Sequence, residues 1–182
     1  MQAIISVSCC PEQYAADNLQ RQMRPPGKCQ ACGREHGFKA HGYYDRNTSD
    51  TDGRAISILV RRFRCRTCRG VVSCLPSFAQ PYRFVNSLTI QHFFAGETAL
   101  LDVRRNCDSL RRYRKTFDAW KHDLQDIVSP TVHTSRVGKP IDLWQTLMIA
   151  DKTLETSTCR LVRDFRATCF GRYRCHQPRK TR

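Results

Sequence analysis

The chain has 182 residues, enough for one domain of ordinary size or two small ones. Lys and Arg outnumber Asp and Glu by 31 to 16, a formal charge of +15, which favours a polyanionic partner because phosphates attract these side chains without regard to sequence. No run approaches the ~18 apolar residues of a membrane span, so no membrane partner is expected.

Residues 1–28 read as a poorly ordered leader. Met1 to Cys10 has a short apolar run but no positively charged region before it, so no signal peptide is expected. Polar residues follow, and Pro25-Pro26-Gly27 breaks any helix. Cys9-Cys10 read as ordinary thiols. The odd number of cysteines, 11, fits a reducing cytoplasm better than a disulfide scaffold.

Residues 29–80 read as a zinc ribbon. Cys29-Gln30-Ala31-Cys32 and Cys65-Arg66-Thr67-Cys68 are two Cys-x-x-Cys knuckles, each followed by a glycine, Gly33 or Gly70, suited to a positive-φ turn. Random placement of the cysteines would give roughly 0.65 such pairs, so the glycines count as much as the spacing. Cys29, Cys32, Cys65 and Cys68 can close a tetrahedron around Zn²⁺; a redox pair, or His36 or His41 replacing one sulfur, are the alternatives. Between the knuckles, His41 to Arg46 reads as a short strand and Asn47 to Gly53 as a polar turn. Ala55 to Cys65 is the strongest strand, with Ile56, Ile58 and Val60 on one face and Ser57, Leu59, Arg61 and Phe63 on the other. Val71 to Leu75 supplies a third, making a three-stranded antiparallel ribbon. No acidic residue occurs between Gly53 and Gly96, whereas Arg61, Arg62, Arg64 and Arg66 do, as a phosphate-binding footprint requires.

Residues 84–129 read as a helix-turn-helix-like helical domain. Val85 to Ala95 is a helix capped by Asn86 or Ser87 and stopped by Gly96, and Glu97 to Arg105 is a second. The longest helix, capped by Asp108 or Ser109, carries Leu110, Tyr113, Phe117, Trp120, Leu124 and Ile127 at spacings of 3 and 4. Its first turns present Arg111, Arg112, Arg114 and Lys115, preceded by Arg104 and Arg105, which could read bases and hold phosphates. A bundle helix with a solvated basic face has the same periodicity, and the spacing could also seed a homodimer. Residues 130–182 read as a linker, one helix over Ile141 to Leu154, and a basic, disordered tail from Cys159. The fold class is therefore α+β.

Taken together, Cys29-Gln30-Ala31-Cys32-Gly33, His41-Gly42-Tyr43-Tyr44-Asp45-Arg46, Val60-Arg61-Arg62-Phe63-Arg64-Cys65, Leu75-Pro76-Ser77-Phe78 and Pro81-Tyr82-Arg83 resemble bacterial zinc-ribbon proteins related to insertion-sequence transposases, many of them known only as a domain of unknown function. The resemblance covers roughly residues 29 to 125. It implies a structural Zn²⁺, a helix-turn-helix after the ribbon, and DNA binding by an accessory or truncated transposase or a small regulator, without implying strand transfer. Val71-Val72 and Cys74 depart from the pattern, and the final third matches nothing in it. RNA or ribosome binding is the alternative, with Tyr43, Tyr44 and Phe63 available for base stacking. Catalysis is not expected: Asp142, Asp151, Glu155 and Asp164 lie in a helical segment with no sheet to hold metal ions.

Overall fold

Alternating apolar and polar residues on either side of a polar turn dictate an antiparallel hairpin, and the computed structural model, which describes residues 1–35, 37–129 and 142–172, contains one. Its arms are β2 (Phe38–Ser49) and β3 (Ala55–Cys65). Next to β3 lies β4 (Val71–Pro76), also antiparallel.

The fourth strand comes from the leader. β1 (Gln2–Ile5) pairs parallel with β4, so the sheet runs β1-β4-β3-β2 and is mixed rather than a three-stranded antiparallel ribbon. The leader is also not poorly ordered up to Gln22: it contains α1 (Pro11–Ala16), where Cys10 Sγ accepts from the Gln13 N–H, and a 3-10 turn at Leu19–Gln22. The physical reason is apolar demand. Without β1 and α1, β4 would be a bare edge and the sheet would expose its apolar side chains. Ala3, Tyr14 and Met23 are instead buried with Ile58, Val60, Phe63, Val72 and Phe78.

A bulge decides which way the hairpin's side chains face. Ala40 pairs with Phe63 but Tyr43 pairs with Arg61, leaving one extra residue on β2, and Gly42 takes the positive φ (84°) there. Cross-strand partners share a face. Phe38, Ala40, Tyr43, Arg61, Phe63, Cys65 and Val72 therefore occupy one face, and Lys39, Tyr44, Val60, Arg62, Arg64 and Ser73 the other.

The helices form a second core. In α2 (Ser87–Ala95) the Asn86 side chain accepts from the Thr89 N–H, and Gly96, at φ 89°, ends the helix as its sequence dictates. Only Asn106 separates α3 (Leu101–Arg105) from α4 (Cys107–Val128), so Asp108 and Ser109 lie inside α4 instead of capping it. The spaced apolar face of α4 is spent within the chain: Leu110, Tyr113, Phe117 and Leu124 are buried, and Trp120 and Ile127 pack against them. On this core sit α5 (Leu143–Asp151), whose Trp144 stacks on Phe94 at 4.0 Å, then α6 (Leu154–Arg160), a π-helical turn at Leu161–Phe165, and the short hairpin of β5 (Ala167–Thr168) and β6 (Gly171–Arg172). The segment expected to be a disordered tail from Cys159 is thus folded through Arg172, because Leu161, Cys169 and Phe170 are buried in the helical core. The expected linker at 131–140 and the end of the basic tail at 173–182 lie outside the described residues. Among the described residues no helix is long and apolar enough to cross a membrane.

The two cores meet at the tip of the β2–β3 hairpin. Asn86 Nδ2 donates to the Asp50 carbonyl (2.8 Å), and Asn106 Nδ2 donates to the carbonyls of Gly53 and Asp102 (2.9 Å each). Gly53 has φ 82°, and a Cβ there would lie 2.6 Å from Asn106 Nδ2 and 2.8 Å from backbone atoms of Asp102. Both the conformation and the space demand glycine. Gly53→Ala is expected to cost about 3 kcal/mol, combining left-handed strain with overpacking. Thermal unfolding should then show a Tm lower by roughly 10 °C.

Candidate functional site

Each Cys-x-x-Cys turn folds back on its own backbone. In the first, the Cys29 N–H donates to Arg34 O and the Gly33 N–H to Cys29 O (2.8 Å each), with Gly33 at φ 75°. In the second, the Cys65 N–H donates to Gly70 O (2.9 Å) and the Arg66 N–H to Gly37 O (2.6 Å). The left-handed residue of this second turn is Arg69 (φ 58°), not Gly70. At Gly70 space is tight instead, since a Cβ would stand 3.3 Å from Cys68 Sγ and 3.0 Å from the Met1 methyl.

The turns bring all four sulfurs together. Cys29, Cys32, Cys65 and Cys68 lie within 4.8 Å of one another, with Sγ–Sγ distances of 3.7 Å for Cys29–Cys68 and for Cys32–Cys65. A tetrahedral metal with Zn–S bonds of about 2.3 Å would set sulfurs about 3.8 Å apart along each edge. The cluster could hold a metal ion. His41 sits on the exposed part of β2 outside this cluster, and His36 lies outside the described residues.

Electrostatics points the same way. The backbone N–H of Cys68, opposed by desolvation and assisted by that of Thr67, draws the Cys65 thiol below its ordinary pKa. Desolvation, and then the neighbouring thiols, push Cys68 up. Four thiolates this close repel one another, and a divalent cation would remove the conflict.

The predicted basic residues separate into groups. Arg61 and Arg62, adjacent on a strand, face opposite ways: Arg61 lies over Tyr43 (4.6 Å) and Phe63, while Arg62 lies over Tyr44 and donates to Tyr43 O (3.1 Å). They cannot share one phosphate-facing surface. Arg64 shares the face of Arg62, across from Lys39, which sequence alone could not pair with it because the bulge sets the register. Arg66, on the second knuckle, is exposed. Arg104, Arg105, Arg111, Arg112 and Lys115 are also exposed, with Arg105 donating to Asp52 O (2.8 Å) and Arg111 only 3.6 Å from Asp108. Arg114 instead covers the Phe94 ring at 4.0 Å.

The cysteine cluster and the basic part of α4 do not meet along the hairpin. β3 carries the chain from Ala55, next to the Gly53–Asn106 contact, to Cys65, a rise of about 33 Å at ~3.3 Å per residue.

The four carboxylates considered for catalysis all have structural partners. Asp142 accepts from the Trp144 N–H and Glu155 from Ser77 Oγ, while Asp151 pairs with Arg160 and Asp164 with Arg163.

Residues 29–113 match the domain of unknown function DUF6431. No curated protein and no solved structure matches the chain. The DUF6431 match opens on the first clustered cysteine and closes on Tyr113 of α4, so it takes in the metal cluster, the hairpin, its amide clamps and the first turns of the basic helix.

If the cluster is a structural metal site, Cys65→Ser should lose its bound ion by elemental analysis, and its Tm should fall by roughly 10 °C or more because metal binding is coupled to folding. A Cys65→Ser protein that keeps one ion per chain and unchanged amide exchange around both knuckles would refute the site.

Proposed function

We propose that this is a zinc-ribbon DNA-binding protein related to insertion-sequence transposases, an accessory or truncated form or a small regulator, in which α3 and α4 act as a helix-turn-helix-like reader. Four thiolates at tetrahedral spacing suit Zn²⁺, whose part would be structural: it would hold the knuckle end of the sheet rigid.

The observation that carries the reading is the charge on α4. After Asp108 in its first turn, α4 exposes Arg111, Arg112 and Lys115 in its N-terminal half, and its C-terminal half carries Asp118, Asp123 and Asp126 with Lys121 and His122 among them. The helix dipole acts within the first and last turns, where Asp108 suits it, and so does not account for the basic residues that follow. A phosphate-facing surface does, with these side chains reaching backbone phosphates or guanine edges. Arg104 and Arg105 have the dipole as a competing explanation, since they end α3. On the sheet, Lys39, Arg62 and Arg64 share a face that could extend the contact, with Arg66 beyond them on the knuckle.

RNA binding by base stacking has less support. The rings of Tyr43, Tyr44 and Phe63 that would stack on bases lie under the guanidinium groups of Arg61 and Arg62.

The test is anisotropy with a duplex of about 30 base pairs and a single-stranded RNA across a salt series. Replacing both Arg111 and Arg112 with Ala should weaken duplex binding about tenfold or more and reduce the slope of log K against log salt by about 2. An unchanged slope would remove α4 from the interface, and tighter binding to RNA would replace DNA as the partner.

A further inference from the structure

The four-stranded sheet ends in β2 on one side and β1 on the other. A sheet edge is a template for a further strand unless charge, proline or a bulge blunts it. β2 is blunted, with charges at Lys39, Asp45 and Arg46 and the bulge beside Gly42. β1 is short, but it carries no charge, no proline and no bulge.

The bonds at its two ends fix where the backbone groups of β1 point. Met1 O accepts from the Ser73 N–H (2.9 Å), and the Val7 N–H donates to Ser77 Oγ (3.2 Å), so the odd residues turn toward β4. Backbone groups alternate sides along a strand, and the N–H and C=O of Ile4 therefore point away from the sheet.

A groove of about 750 Å³ runs along that edge, and Ala3, Ile4, Ile5 and Ser6 all line it. Successive side chains of a strand point to opposite faces, so four consecutive residues share one cavity only along their edge. The first knuckle lines it from Pro26 to Ala31, and Cys159 of α6 and Val162 of the π-helical turn complete its apolar part. Arg166 Nη2 donates to Gln30 O (3.3 Å), which ties the C-terminal segment to the knuckle.

Charge selects the partner. Lys28, Arg163 and Arg166 are exposed in the lining, which contains no Asp or Glu. Arg163 is paired with Asp164, which leaves Lys28 and Arg166 without a carboxylate among the described residues. Residues 131–140 and 173–182 contain no Asp or Glu, so an acidic occupant comes from another molecule. DNA phosphates would answer the charge but not the Ile4 carbonyl, which needs a donor, nor the aliphatic lining. We propose that the edge of β1 is a docking site for an extended acidic peptide of a partner protein. The peptide adds as a fifth strand through the N–H and C=O of Ile4, sets its carboxylates against Lys28 and Arg166, and turns its apolar side chains onto Ile5 and Val162. No residue of α4 lines the groove, so the inference stands apart from the DNA-binding reading.

The experiment titrates the isotope-labelled full chain, with its metal, with a capped octapeptide alternating Val and Glu and with its Val and Lys counterpart. The Glu peptide should bind about tenfold more tightly than the Lys peptide and shift the amides of Ile4, Lys28 and Val162. Ile4→Pro removes only the outward N–H, at a position where an edge strand tolerates proline, and should keep the fold while weakening the Glu peptide about fivefold. Should that variant fail to fold, the double variant Lys28→Glu with Arg166→Glu decides, because both side chains are exposed; it should reverse the preference between the peptides. Absence of amide shifts at Ile4, equal binding of the two peptides by wild type, or a preference that survives the double charge reversal overturns the site. A DNA duplex that shifts the same amides and displaces the Glu peptide makes the groove a phosphate surface and also overturns it.

Discussion

Four sulfurs within 4.8 Å of one another are the constraint from which the knuckle end of the sheet follows. Thiolates at that separation repel, so the arrangement is stable only with a cation among them or with most of the thiols protonated. With a cation, the two turns become one unit and the open end of the β2–β3 hairpin is closed. The other end of the hairpin is held by a different device, the amides of Asn86 and Asn106 donating to carbonyls at the tip. One long ribbon thus has a clustered device at each end, four cysteines that could hold a metal ion at one and side-chain amide hydrogen bonds at the other. The division of labour follows: the cluster shapes the sheet, and the tip sets where α2, α3 and α4 attach.

Much of this was legible wherever the deciding interaction is local. The knuckles, the hairpin, Asn86 and Gly96 bounding α2, and the apolar face of α4 all depend on residues within a few positions of one another. What was not legible depends on distant pairing. β1 docks on β4 about seventy residues later, as Ala3 paired with Cys74 illustrates, and nothing in a four-residue apolar run identifies that partner. The bulge at His41-Gly42 sets which arginines share a face, and it can be placed only once the register is known. The C-terminal segment misled through composition. Eight basic residues and one acid from Cys159 onward suggest a solvated tail, but Leu161, Cys169 and Phe170 enter the helical core while arginines such as Arg163 stay outside. The candidate metal ligands were legible as a set, because two local turns bring them together.

The manner in which the arginines are satisfied bears on the charge as a whole. Between Gly53 and Gly96 the chain offers no carboxylate, yet Arg61, Arg62 and Arg83 are partly buried. Their partners are carbonyls and rings: Arg62 donates to Tyr43 O, Arg83 to Phe170 O, and Arg61 rests on Tyr43 and Phe63. Arg46 from β2 does the same with the carbonyls of Gln80 and Arg83, and Arg114 covers Phe94. A carboxylate would stabilise a buried guanidinium more strongly, but it would also cancel the charge. Dipoles and aromatic quadrupoles hold the group while leaving its monopole intact. At these positions the fold packs arginines without neutralising them, in contrast to Arg160, which is paired with Asp151, and the chain keeps a formal charge of +15. A protein selected for stability alone would gain from placing acids beside these groups; one that must attract a polyanion loses by it. That preference for uncharged partners recurs at separate sites, on the hairpin at Arg46, Arg61 and Arg62, at Arg83, and on α4 at Arg114, while the ion pairs of Arg160 and Arg163 lie in the C-terminal segment.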